Sequence, residues 1–174
     1  MNSDRPLALR KFLIQESTVG TPSSPPIENE IDLRSCAQVC FSSERPEHRI
    51  EHLFDGCAGE GASKWVGGRR DRAETILLIF DQPTDVGRCA FEAEECELAR
   101  TQQVTAEYLL AGGDIYRQSF IQEFNFAPAG ATYQRELIDL NLRGVQRLRF
   151  TILADKSGRG VPSLTALRFF SCPG

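Results

Sequence analysis

Arg147-Leu148-Arg149-Phe150-Thr151-Ile152 alternates polar and apolar residues without a break. A two-residue period puts Leu148, Phe150 and Ile152 on one face of an extended chain and Arg147, Arg149 and Thr151 on the other. That is a strand with one face on a core and one in water. Working upstream, Val104, Ala106, Tyr108 and Leu110 alternate with Gln103, Thr105 and Glu107 in the same way. Cys89, Phe91 and Ala93 alternate with Glu92 and Glu94, so the acidic run over 92–97 reads as a solvated strand face. Ile76 to Phe80 is a continuous apolar run, suited to a central strand covered on both faces. Turn signals punctuate these runs at Gln82-Pro83, Ala111-Gly112-Gly113-Asp114, Ala127-Pro128-Ala129-Gly130 and Ser157-Gly158-Arg159-Gly160. Strands are predicted near 36–41, 75–80, 87–95, 102–110, 117–126, 135–140, 146–153 and 164–171. Many short strands separated by turns indicate a sandwich or barrel, with two antiparallel sheets burying the apolar faces.

The chain of 174 residues fits one domain with an appended tail. Residues 1–30 are read as an N-terminal tail carrying a Pro/Ser-rich linker at Thr21-Pro22-Ser23-Ser24-Pro25-Pro26, and residues 31–174 as the folded domain. A formal charge of −4 and a pI near 5.3 argue against general binding to nucleic acid, which needs clustered Lys and Arg to displace counterions. Residues 1–30 contain no apolar run of signal-peptide or membrane-spanning length. A soluble, cytoplasmic protein is therefore expected, and the six cysteines read as reduced thiols packed as small apolar groups.

Near the front of the strand series stand His52-Leu53-Phe54-Asp55-Gly56 and Ser63-Lys64-Trp65-Val66. Further on come Glu74 to Phe80, then Arg100 through Tyr108 followed by Gly113-Asp114-Ile115-Tyr116, then Leu148 to Ile152 and Gly160 through Phe170. In this order and spacing, from residue 35 to 172, the chain resembles a discoidin or galactose-binding-like domain. The resemblance implies an eight-stranded antiparallel jelly-roll β-sandwich whose loops at one end bind carbohydrate, lipid headgroup or protein. It also implies that the chain ends come together, which makes Cys36 and Cys172 the first disulfide pair to consider if the protein is exported. Fold alone does not choose among those ligands.

The resemblance further implies a structural calcium ion wrapped by the opening turn. Asp55 and Ser63 would be ligands, with carbonyl oxygens near His52 and Cys57, all hard donors suited to that cation. Cys57 stands where the family commonly has an acidic residue, and no Asp or Glu follows Phe170, so carboxylates are missing from this set. Asp55 alternatively caps its own turn. The spacing Cys36-x3-Cys40-x7-His48-x3-His52 offers zinc-type donors, but its middle spacer is too short for a finger.

For ligand binding, the densest basic stretch is Gly67-Gly68-Arg69-Arg70-Asp71-Arg72, beside Trp65, the single tryptophan. Guanidinium forks suit carboxylates, phosphates and sugar hydroxyls. Arg69, Arg70, Asp71, Arg72 and Arg100 are the candidate polar contacts. Trp65 is a candidate sugar platform, although the family position favours packing in the sandwich. Alternatively these charges form intraprotein ion pairs, and Arg100 holds the adjacent acidic strand. The chain lacks a phosphate loop, lacks a Gly-x-Ser-x-Gly elbow and has only two histidines, so catalysis is not expected.

The expected function is a non-catalytic module that recognises carbohydrate through loops near 43–50, 66–72, 97–102 and 155–162. The alternative is a protein-interaction adaptor subunit on the same fold. A glycan site should show aromatic and polar groups converging in a shallow cleft, whereas an adaptor should expose a larger apolar patch.

Overall fold

The computed structural model describes residues 9–12 and 29–172. Nine strands run through it: β1 Leu9–Phe12, β2 Ala37–Phe41, β3 Trp65–Val66, β4 Glu74–Glu94, β5 Arg100–Leu110, β6 Arg117–Phe126, β7 Tyr133–Leu153, β8 Ser163–Leu164 and β9 Ala166–Phe170. One short helix, α1 Leu33–Cys36, leads into β2, capped at its start by Asp32, which accepts from the Arg34 N–H at 3.1 Å. A 3-10 turn over Ile50–Leu53 leads into the Phe54-Asp55-Gly56 turn.

The eight predicted strands are all present, but two pairs are fused. The segments expected at 75–80 and 87–95 are halves of β4, and those at 135–140 and 146–153 are halves of β7. Gln82-Pro83 is thus a bulge, not a turn: the β4–β7 register slips between Ile79 and Thr84, between Thr84 and Val86, and again before Arg88. Proline is tolerated there because a bulge releases its position from the hydrogen-bond ladder. Across the bend, Gly144 takes φ +64°, where a side chain would be strained, and its N–H donates to Asp85 at 2.8 Å.

Because β4 and β7 bend, each serves two layers. In the front layer β1, β2, the first half of β4, the second half of β7, β5 and β6 lie side by side, all antiparallel. One inward row crosses it through Phe41, Ile76, Phe150, Ala106 and Phe120. In the back layer the second half of β4 lies between β9 and the first half of β7. Aromatic contacts join the layers: Phe91 stacks on Phe120 with centroids 5.6 Å apart and meets Phe124 edge-on at 5.3 Å, while Phe150 packs on Phe169 at 5.9 Å. The result is an antiparallel β-sandwich, in which alternation places Ile76, Leu78, Phe80, Leu148, Phe150 and Ile152 at no more than 1% exposure.

Three expectations change. Leu9–Phe12, inside the segment read as a tail, pairs with β2 as an edge strand, while the Pro/Ser-rich stretch at 21–26 lies outside the described residues. Glu92 is buried at 2% rather than solvated, because the loop after Gly56 folds over it: the Gly59 N–H donates to its carboxylate at 2.9 Å and Arg135 lies 3.5 Å away. The 76–80 segment is central, but its outer residues Leu77 and Ile79 are only half-buried. All six cysteines are free thiols; Cys36 donates to the Asp32 carbonyl, and Cys172 contacts the Leu142 carbonyl.

Candidate binding cleft

Four loops meet at one end of the sandwich, and short backbone links explain why. The 45–48 turn clips onto β3, since Arg45 N–H donates to the Val66 carbonyl (2.9 Å) and Val66 N–H to the His48 carbonyl (3.1 Å). β3 pairs with β8 through Trp65↔Leu164 and Val66↔Ser163. The loop after β3 is then fastened to the loop before β8. Gly67 N–H donates to the Pro162 carbonyl (2.9 Å), Asp71 N–H to the Gly160 carbonyl (2.7 Å) and Gly160 N–H to the Asp71 carboxylate (2.7 Å). Gly67 is needed at this crossing, because a Cβ there would lie 2.7 Å from the Glu74 side chain.

Arg100, at the start of β5, ties the fourth loop in. Its Nη1 donates to the carbonyls of Ala154 (3.1 Å) and Val161 (2.8 Å), its Nη2 to Ser163 Oγ (3.1 Å), and its Nε lies 3.0 Å from the Glu95 carboxylate. At 6% side-chain exposure the guanidinium is turned inward onto these groups. Burial lowers its pKa, and the neighbouring carboxylates of Glu95 and Asp155 offset only part of that. Asp155 shapes the same loop: its carboxyl is lowered to about 2 by hydrogen bonds from the Ser157 hydroxyl and the N–H groups of Thr101 and Ser157.

Between these loops lies a cleft of about 380 Å³. Arg45, His48, Lys64 and Arg70 line it from the β3 side, and the 94–98 segment with Arg100 lines it from the other. It draws residues from all four loops named from the sequence. No Phe, Tyr or Trp side chain is among its lining residues; Leu98, 56% exposed, and Val161 are among its apolar walls.

The individual candidates fare differently. Arg70 lines the cleft with 78% of its side chain exposed, held only loosely by Asp71 at 3.8 Å. Asp71 works as the loop fastener described above. Arg72 is exposed and outside the cleft lining. Arg69 turns away to Glu74, which is fully buried, donating from Nε (3.1 Å) and Nη2 (2.9 Å), while Ser42 and Ser43 donate to the same carboxylate. Burial alone would raise the Glu74 pKa, but these hydrogen bonds outweigh it and hold the group below the usual carboxylate range. Trp65 is 0% exposed with its indole N–H on the Ser43 carbonyl (3.2 Å), so it has no face to offer a sugar.

Arg45, His48, Lys64 and the 94–98 side chains were not named as ligand contacts from the sequence; His48 was read only as a zinc-type donor and the 92–97 run only as a solvated strand face. For Lys64 a signal existed: with Trp65 buried, its neighbour on an extended chain points to the other face.

The opening turn does not fit a calcium cage. One Asp55 oxygen accepts the Cys57 N–H (2.8 Å) and the other the Ser63 hydroxyl (2.5 Å), so Asp55 caps its own turn. His52 Nδ1 faces the Lys64 carbonyl at 3.0 Å. Among the described residues no group of three or more His, Cys, Asp or Glu side chains is placed to hold a metal. Asp55 is the single carboxylate of this set, and one charged donor beside a neutral hydroxyl is too few for a tight site.

Solved structures with this architecture decide the fold. A family 32 carbohydrate-binding module from a family 31 glycoside hydrolase of Clostridium perfringens superposes with a TM-score of 0.60 at 17% identity, covering 83% of this chain and 96% of the module. This chain has the galactose-binding-like, or discoidin, fold. The family 32 module of C. perfringens NanJ, solved with galactose, matches at 0.58 and 10% identity over 83% of this chain and all of the module. An allantoicase matches at 0.52 and 11% identity over 76% of this chain and 39% of the enzyme, so the galactose-binding-like sandwich also occurs within enzymes. No family model and no curated sequence matches. Among the described residues no helix is long and apolar enough to cross a membrane.

Proposed function

We propose that this sandwich is a non-catalytic carbohydrate-binding module whose ligand sits in the four-loop cleft. The observation that carries the reading is the convergence of cationic donors (Arg45, Lys64, Arg70) and carboxylate acceptors (Glu94, Glu97) around a space of about 380 Å³, the size of a small-ligand site. Sugar hydroxyls both donate and accept, so a cleft with both kinds of group suits them. The family 32 module solved with galactose supports the same ligand class for this chain. Without a stacking aromatic, affinity rests on polar contacts made in competition with water, and a dissociation constant near about 1 mM is expected, or ~4 kcal/mol. Calorimetric titration with galactose and N-acetylgalactosamine tests this: saturable binding weakened by Arg70→Ala supports it, and no heat with either sugar contradicts it.

The adaptor reading receives less support. The large exposed apolar side chains Leu98, Ile115, Ile121 and Leu137 come from four different segments, and Leu98 belongs to the cleft itself.

A further inference from the structure

In the back layer β4 lies between β9 and the first half of β7, and no strand follows beyond β7 among the described residues. The Gln134 side chain donates to the Asn125 carbonyl of β6, so the open edge begins at Arg135. Over 133–139 the register with β4 is unbroken, and every second residue of such a strand turns its N–H and C=O away from its one neighbour. Neither proline nor lysine, the usual blockers of a strand edge, occurs in 133–142. Leu137, 54% exposed, stands in the middle of the stretch.

The outer side chains are ordered about Leu137. Arg135 precedes it by two residues and Asp139 follows it by two, so all three share one face, opposite Glu92, Ala90 and Arg88 of β4. Within the chain Arg135 lies 3.5 Å from Glu92, and Arg88 Nε donates to Asp139 at 2.8 Å. Charge therefore inverts about Leu137. A second copy of this strand laid antiparallel would set Arg135 opposite the partner's Asp139, and Leu137 opposite the partner's Leu137. Glu92 and Arg135 of one copy would run on into Asp139 and Arg88 of the other, alternating in sign across the joined sheets. No like charges would face each other over 133–141, since Glu136 would meet Ile138 and Gln134 would meet Leu140. The other long edge, β6, lacks this complementarity: pairing about its exposed Ile121 sets Ser119 against Glu123.

We infer that the open edge of β7 is a homodimer interface, in which two copies join antiparallel through 135–139 across a two-fold axis at Leu137. The pairing does not depend on what the cleft binds. A single strand edge buries less than the roughly 800 Å² per partner of a stable complex, so association is weak and reversible, with a dissociation constant of about 100 μM. The Glu95 N–H donates to the Thr132 carbonyl at 2.8 Å, so β7 starts beside the 94–98 wall of the cleft. Antiparallel joining thus points the two clefts in opposite directions, one at each end of the dimer.

Sedimentation equilibrium of the full chain from about 10 μM to about 1 mM brackets that constant. The parent should pass reversibly from monomer to dimer. Leu137→Lys sets two ammonium groups face to face, and Asp139→Arg sets guanidinium against guanidinium on both sides of the axis. Each should weaken the dimer about tenfold or more, while a melting transition near that of the parent shows that the variant is folded. Ile115→Lys makes the same change at an exposed apolar side chain outside the edge and should leave the dimer as it is. A parent that stays monomeric throughout would overturn the inference and leave the edge to an extended segment of another protein. A dimer that survives both edge variants, or that Ile115→Lys weakens equally, would overturn it as well.

Discussion

Two adjacent arginines show how local context assigns opposite roles to one residue type. Arg69 closes a buried cluster with Glu74, Ser42 and Ser43, whereas Arg70 stands exposed at the cleft with only a loose 3.8 Å contact to Asp71. Glu74→Ala leaves the Arg69 guanidinium and two seryl hydroxyls without their acceptor, and unfolding in urea should show a loss of about 3 kcal/mol. Arg70→Ala should change stability by less than about 0.5 kcal/mol, as for an exposed and loosely paired side chain, while weakening sugar binding. Equal effects on stability would contradict the division. Trp65 offers a second check at this scale, because it is the sole tryptophan and fully buried. Its native fluorescence should resist quenching by iodide and should not shift when sugar is added; strong quenching would place it at the surface. For Arg100 the hold on the adjacent acidic run was legible as an alternative and is met by Glu95, whereas its contacts with Ala154, Val161 and Ser163 were not; the burial of the Arg69–Glu74 pair was not legible either, since Ser42 and Ser43 reach Glu74 from a distant loop. Trp65 was legible as a core residue from the motif that contains it.

At the scale of elements, the cleft depends on loops that are fastened rather than packed. The 155–162 loop is tied by Arg100 and capped by Asp155. The folded Asp155 pKa of about 2 lies below its ordinary value of 3.8, so the group favours the folded loop above that ordinary value and loses its contribution as pH falls toward 2. Melting temperature should therefore drop between about pH 4 and pH 2, and Asp155→Asn should flatten part of that drop. An unchanged acid profile in the variant would remove Asp155 from the account. Loop positions could be read from turn residues flanking alternating segments, and the four named segments do converge. The strand bends could not be read that way. Gln82-Pro83 carries the composition of a turn, yet β4 runs through it because the bulge needs no ladder hydrogen bond from proline.

For the whole molecule, period-two alternation sufficed to give an antiparallel sandwich, because one buried face per strand leaves few other ways to cover the apolar rows. What it could not show is that β4 and β7 each pass through both layers, since that depends on pairing between distant segments. Nor could it show that the opening turn closes on its own hydrogen bonds. The Asp55–Ser63 loop is held by Asp55 itself and by Glu92 and Glu94 reaching from β4 to the N–H groups of Gly59 and Gly61. Chelation is accordingly expected to leave the melting temperature within about 1 °C, whereas a tightly bound structural ion would shift it by several degrees. The claim on which everything else rests is that the four-loop cleft is the sugar site. Amide chemical-shift mapping during a galactose titration tests it most directly. The account predicts saturable shifts concentrated at Arg45, Lys64, Arg70, the 95–98 segment and Gly160–Val161, with the Asp55–Ser63 loop unmoved; shifts centred on another face, or none at saturating sugar, would contradict it.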